Sequence, residues 1–315
     1  MVAKRNRSGA PFVLIPLLFV LAATAGLIGA RYRQHQGMLE LMKHPFASIL
    51  PPSRISSSSQ APNDSLAQNM LDEQMLLGNP DKATGDASNR EHFLMERAQY
   101  ALSYNDSWHF PNWVAWHLCK RDIGEAERGQ FVPDPDLPGN FTPIVPSDYN
   151  HTGYDRGQNC PSQDRSARRD DSNILLYMTN ITPQRHEMRV GPWEKLEVYC
   201  RQLAQEGNEL YIISGYGFKE KHIRVIGARH IAVPDFGWKI VVVLPEHSGD
   251  DRKRINRNTR VIAVQIPNVK GILAQPWTRY VVTAGEVERA TELHFFETLP
   301  PGIAIALKSK RDDAG

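Results

Sequence analysis

Short apolar runs rich in β-branched residues recur from residue 112 onward and limit what this chain can become. Residues 112–119 (NWVAWHLC) alternate like a strand. Residues 173–178 (NILLYM), 210–214 (LYIIS), 238–244 (WKIVVVL), 259–266 (TRVIAVQI) and 279–283 (RYVVT) have strand length and composition. Between them, 192–206 reads as a helix with Pro192 in its first turn, and 285–293 as a shorter one. Residues 90–101 also read as helical. Strands joined by long connections, with a few helices among them, predict an α+β fold. The expected architecture is a mixed or antiparallel central sheet with helices on its faces.

The N-terminus has a different texture. Lys4, Arg5 and Arg7 precede an uncharged run over 10–30, which Arg31 and Arg33 close. About 20 apolar residues cross a bilayer as a helix, whereas a shorter core followed by small residues is a cleaved signal. Both stay open here, because Ala23-Thr24-Ala25 follows an apolar core from Pro11 to Ala22. Either way the basic start favours a cytoplasmic N-terminus. The remainder is then expected outside the cytoplasm, anchored to the membrane through 10–30 or secreted or periplasmic. The expected organisation is a signal-anchor or signal peptide at 1–33, a juxtamembrane segment and flexible linker at 34–88, a folded domain at 89–305 and a tail at 306–315.

A net charge of +2 excludes nucleic-acid attraction by a global field, so any such partner must be held by local clusters. Arg165, Arg168 and Arg169 form one; Arg252, Lys253 and Arg254, with Arg257 and Arg260, form another. Both suit a phosphate backbone without base selectivity. Cys119, Cys160 and Cys200 make no CxxC pair, no zinc spacing and no disulfide framework. On the helix at 192–206, Trp193, Leu196, Glu197 and Cys200 share one face, and a carboxylate on that apolar stripe needs a partner or a cation.

Tyr154-Asp155-Arg156-Gly157-Gln158-Asn159-Cys160-Pro161 resembles the Asp-Arg-Gly-His signature of the DNA/RNA non-specific endonucleases. Asn180, Pro183-Gln184, Trp193 and Leu196-Glu197 resemble that family's second signature. The resemblance covers about residues 89–305 and implies a ββα-metal nuclease core. It further implies sequence-nonspecific hydrolysis of DNA and RNA with magnesium or manganese assistance. The implied catalytic residues are Gln158 in the general-base position, Arg156, Asn180, Glu197 and Arg128, with Arg121 as the other choice for the last. Asn180 and Glu197 are the implied metal ligands.

Two positions depart from that pattern. A carboxamide such as that of Gln158 orients water but takes no proton near neutral pH, and the guanidinium of Arg189, where the family carries its metal-ligating Asn, has no lone pair for a cation. Asn180, Glu187 or His186 then holds the metal in an altered register, or Arg189 grips phosphate directly alongside Arg165, Arg168 and Arg169. His151 and His186 are the candidates to replace the base, and Cys160 is expected to be buried and inert. The competing expectation is a degenerate nuclease-fold protein that binds nucleic acid without efficient cleavage.

Overall fold

The computed structural model of the protein describes residues 73–219, 222–247 and 249–313. The anchor or signal expectation falls on 1–33, outside the described residues. No helix among the described residues is long and apolar enough to cross a membrane.

The strands in chain order are β1 (Phe93–Glu96), β2 (Ala101–Asn105), β3 (Phe110–Leu118), β4 (Asp155–Gln158), β5 (Ile181–Gln184), β6 (Asn208–Gly217), β7 (Arg224–Ile226), β8 (Ile231–Val233), β9 (Phe236–Pro245), β10 (Arg260–Pro267) and β11 (Val281–Val282). A seven-stranded sheet runs in the order β1-β2-β3-β6-β9-β10-β11, and every adjacent pair is antiparallel. The continuous apolar run in β9 is explained by burial on both faces. Val241 and Val243 enter one core, while Trp238, Ile240 and Val242 enter the other.

Helices cover both faces. Helix α2 (Glu194–Gln205) follows the short α1 (Arg169–Ile174) and packs on the first face through Leu196, Cys200 and Leu203, with Trp193 just before it. Helices α3 (Ala284–Thr291) and α4 (Pro301–Ser309) cover the second face through Ala284, Val287, Ala304 and Leu307. The side chain of Thr283 accepts from the Glu286 amide while Glu286 reaches back, a capping box that fixes the start of α3. The fold is therefore α+β with an antiparallel sheet and helices on its faces.

Four expectations change. Residues 90–101 form β1 and the start of β2 rather than a helix, because β1 pairs with β2 and β2 with β3, which overrides local propensity. Residues 173–178 end α1 and lead into a 3-10 turn at Met178–Asn180, so Leu175, Leu176 and Met178 are buried without belonging to a strand. Of 279–283, Arg279 and Tyr280 end a 3-10 turn, Val281–Val282 pair with β10 and Thr283 bridges Arg311. Residues 73–88 pack on the domain instead of forming a tether: Leu76, Leu77 and Ala83 are buried. Asp81 accepts hydrogen bonds from Ser103 Oγ at 2.6 Å, Trp113 Nε1 at 2.7 Å and Asn112 Nδ2 at 3.0 Å. At the other end, α4 runs past residue 305 and Arg260 holds Asp312 at 2.9 Å.

Candidate nucleic-acid site

The β4–β5 hairpin carries the signature residues. Its register pairs Asp155 with Gln184, Arg156 with Pro183, Gly157 with Thr182 and Gln158 with Ile181. Gly157 is required there because a Cβ would overlap the carboxamide of Gln184, which is fully buried and fixed by a 2.6 Å hydrogen bond from its Nε2 to Tyr216 Oη.

At the Asp155 end of the hairpin a cavity of about 400 Å³ opens, lined by Arg128, Arg156 and Arg189 with Asp155, His151 and Tyr149 among their neighbours. Arg128 and Arg156 approach the Phe131 ring, their guanidinium carbons 4.8 and 5.6 Å from its centroid. Arg156 also donates to Pro146 O and to Asn150 Oδ1, each at 3.1 Å. Arg189 Nε lies 2.6 Å from Asp155 Oδ2, and the same oxygen meets His186 Nδ1 at 2.8 Å. Burial pushes the Asp155 carboxyl upward, but the hydrogen bonds from Arg189 and His186 outweigh it and hold the group below the ordinary carboxylate range. Burial, then the charge of Arg189, lowers the Arg128 guanidinium. The hydroxyl of Tyr149 is buried with no hydrogen-bond partner. Three cations against one carboxylate, beside an unsatisfied hydroxyl, make a receptor for an anion.

The other signature side chains point elsewhere. Asn180 is fully buried: its Oδ1 accepts from the Cys160 amide at 3.0 Å, and its Nδ2 donates to Cys160 O and Leu175 O, both at 2.8 Å. It clamps the base of the hairpin and offers no free oxygen. Gln158 is engaged at both ends, donating to Leu175 O at 2.9 Å and accepting from Ser162 Oγ at 3.3 Å. Glu197 lies under the sheet, 3.3 Å from the buried Lys239 Nζ, and burial raises its pKa while Lys239 opposes the rise. Lys239 also sits 4.6 Å from the Trp193 ring and 5.2 Å from that of Trp116.

Arg165 departs from its expected phosphate role. It is buried, donates to the carbonyls of His117 at 2.7 Å, Gln99 at 2.8 Å and Asp164 at 2.9 Å, and lies 3.4 Å from Asp122 Oδ2, so its charge is already committed inside the domain. Arg168 and Arg169 remain exposed. Arg121 lines a different cavity from Arg128. In the second basic cluster Arg254 pairs with Glu209 at 2.7 Å and Arg260 with Asp312. Cys160 is buried, and burial pushes its thiol up, as an inert cysteine requires. Sequence reasoning passed over Tyr149, Phe131 and Lys239. Only Lys239 carried a signal, as a cation inside the apolar run 238–244.

The family model described as DNA/RNA non-specific endonuclease matches residues 80–302. The chain belongs to that family. It is 41% identical over 241 residues to a nuclease of Nostoc sp., the match spanning 76% of this chain and 86% of the relative. It is 31% identical over 212 residues to the mitochondrial nuclease EXOG of Danio rerio, spanning 64% of this chain and 60% of that protein. In fold it is similar to a chain in the crystal structure of the EndoG/EndoGI complex, with a TM-score of 0.62 and 23% identity over 73% of this chain and 93% of that one.

Family membership raises the question of a divalent cation, and the side chains of this pocket do not fit one. Magnesium and manganese take oxygen ligands. Asp155 is the carboxylate lining the pocket, and its Oδ2 is shared by Arg189 and His186. The oxygen of Asn180 is taken by the backbone and Glu197 is held by Lys239. Among the described residues, a His/Cys/Asp group with ligand atoms within 4.8 Å of one another occurs at His117, Cys119 and Asp122. His117 and Asp122 of that group line another cavity, together with Arg121 and Arg165.

Proposed function

We propose that this member of the nuclease family grips the sugar–phosphate backbone of DNA and RNA without sequence preference, seating a phosphate directly on Arg128, Arg156 and Arg189 with no divalent cation between. The lining of one cavity by those three guanidinium groups, with a single carboxylate that pairs only Arg189 among them, carries the proposal. Guanidinium forks match phosphate oxygens in geometry and charge, and contacts confined to phosphate bring affinity without base selectivity. On the basic start and uncharged run of residues 1–30, the domain works outside the cytoplasm, tethered to the membrane or released.

The test is fluorescence anisotropy of the full chain with single-stranded DNA and RNA oligonucleotides, in EDTA and in magnesium. Equal affinity in both buffers is expected. Arg189→Asn should weaken binding about tenfold, in line with loss of a charge-assisted hydrogen bond, and should lower the salt dependence by about one counterion. Binding that appears only with magnesium overturns the proposal. Metal-assisted endonuclease hydrolysis is the second possibility. It is favoured by the 41% identity to the Nostoc nuclease and by Arg156, Asn180 and Glu197 at the signature positions. Plasmid nicking that EDTA abolishes would establish it.

A further inference from the structure

We propose that the arginine pocket cleaves RNA without a metal, with His186 as the base on the ribose 2′-hydroxyl. This rests on the phosphate-seating proposal above. Without a metal to lower the pKa of a bound water, water stays a poor nucleophile even beside an imidazole, and the amide of Gln158 takes no proton at all. RNA carries its own nucleophile beside each phosphate, so a pocket that holds the phosphate already holds the attacking oxygen at high effective concentration. What remains is a base, a cationic seat for the charge on phosphorus and a proton for the leaving group.

The pocket and its rim hold all three. The Nδ1 of His186 lies 2.8 Å from Asp155 Oδ2. Donation of the Nδ1 proton to that carboxylate leaves the lone pair on Nε2, and the side chain is 63% exposed and open to substrate. The same oxygen anchors Arg189 at 2.6 Å, so base and phosphate clamp share one support, as the 2′-hydroxyl and phosphate share one nucleotide. Arg128 and Arg156 complete the seat. His151 lines the same pocket, next to Asn150, whose carboxamide fixes Arg156.

In the step, the 2′-oxygen bonds to phosphorus as its proton passes to His186 Nε2. The bond from phosphorus to the 5′-oxygen breaks, and that oxygen takes a proton from protonated His151. The products are a 2′,3′-cyclic phosphate and a 5′-hydroxyl. No water or metal is consumed, and both imidazoles reset by proton exchange with solvent. DNA, lacking the 2′-hydroxyl, is bound and left intact.

The experiment uses the full chain in EDTA with three oligonucleotides of one sequence: all DNA, DNA with a single ribonucleotide, and the same strand with that ribose 2′-O-methylated. Cleavage only at the unmodified ribose, leaving a cyclic phosphate identified by mass spectrometry, is expected. His186→Ala should lose at least about 10²-fold in rate with unchanged binding, and free imidazole should restore part of it, which a structural role would not allow. Asp155→Asn should also slow cleavage but tighten binding, because Arg189 is released to the phosphate. If the ribose strand is bound yet uncut in EDTA, or all three strands are cut alike, this inference falls while phosphate seating stands. If none of the strands binds, both fall.

Discussion

At one end of the β4–β5 hairpin the Asn180 side chain makes three hydrogen bonds, all to backbone. Beneath it, Glu197 and Lys239 neutralise each other among tryptophans. At the hairpin's other end, Arg128, Arg156 and Arg189 line one cavity that holds a single carboxylate. The same signature segments supply both regions, with opposite results. The buried region is closed, its lone pairs and charges consumed in holding backbone. The open region carries excess positive charge that only an outside anion neutralises. Signature residues thus divide by what their polar atoms already touch. That division makes Asn180 and Glu197 parts of the frame and assigns recognition to the arginines.

The largest test of this contrast is Lys239→Met. It should cost about 3–5 kcal/mol at neutral pH by leaving Glu197 charged and alone in the core. Burial already raises the Glu197 pKa, so the folded protein keeps that proton to higher pH than the unfolded chain does. Its contribution to stability is therefore present below the unfolded pKa and declines as pH rises through the folded one. Thermal melts of the variant should accordingly recover on mild acidification. A variant that melts like the parent at neutral pH would break the contrast.

Asn180→Ala should come next, at about 3 kcal/mol, by stranding the amide and carbonyl of Cys160 in the interior, while Leu175 O keeps its bond from Gln158. Urea unfolding measures the loss. The molecules that remain folded should bind oligonucleotide as the parent does, whereas a metal ligand would have lost binding or cleavage at little cost in stability. The smallest effect is expected for Arg168→Ala with Arg169→Ala. Both side chains are solvent-facing, with ion pairs at 3.5 and 4.0 Å, so stability should hold and affinity should fall only about threefold at low salt. A larger loss would move the seat of recognition away from the three-arginine pocket.

Much of the fold could be read from the chain because burial on both faces leaves a long apolar run, as in β6, β9 and β10. Residues 90–101 misled because Glu91, Met95, Glu96 and Ala98 are good helix formers, whereas β1 pairs with β2, which β3 in turn holds in the sheet. Residues 173–178 misled because a short apolar run has no period of its own. For the site, the face shared by Trp193, Leu196, Glu197 and Cys200 was legible, and so was the need of Glu197 for a partner. That the partner is Lys239, on a strand, depends on how β9 packs against α2. Arg165 and Arg168 look alike in sequence. Arg165 is buried and faces carbonyls while Arg168 meets water, a difference set by the turn at Ser162–Arg165.

The contacts of Asp81 have a practical corollary. Four side chains from the first strands and their approach, His92, Ser103, Asn112 and Trp113, depend on this one carboxylate. A fragment trimmed to begin just beyond it would leave these four side chains without their shared acceptor and Trp113 Nε1 unpaired in the core. Any protease or cloning boundary that frees the domain intact must therefore fall upstream of Asp81, so the release point is dictated by a latch rather than by where the chain stops looking low in complexity.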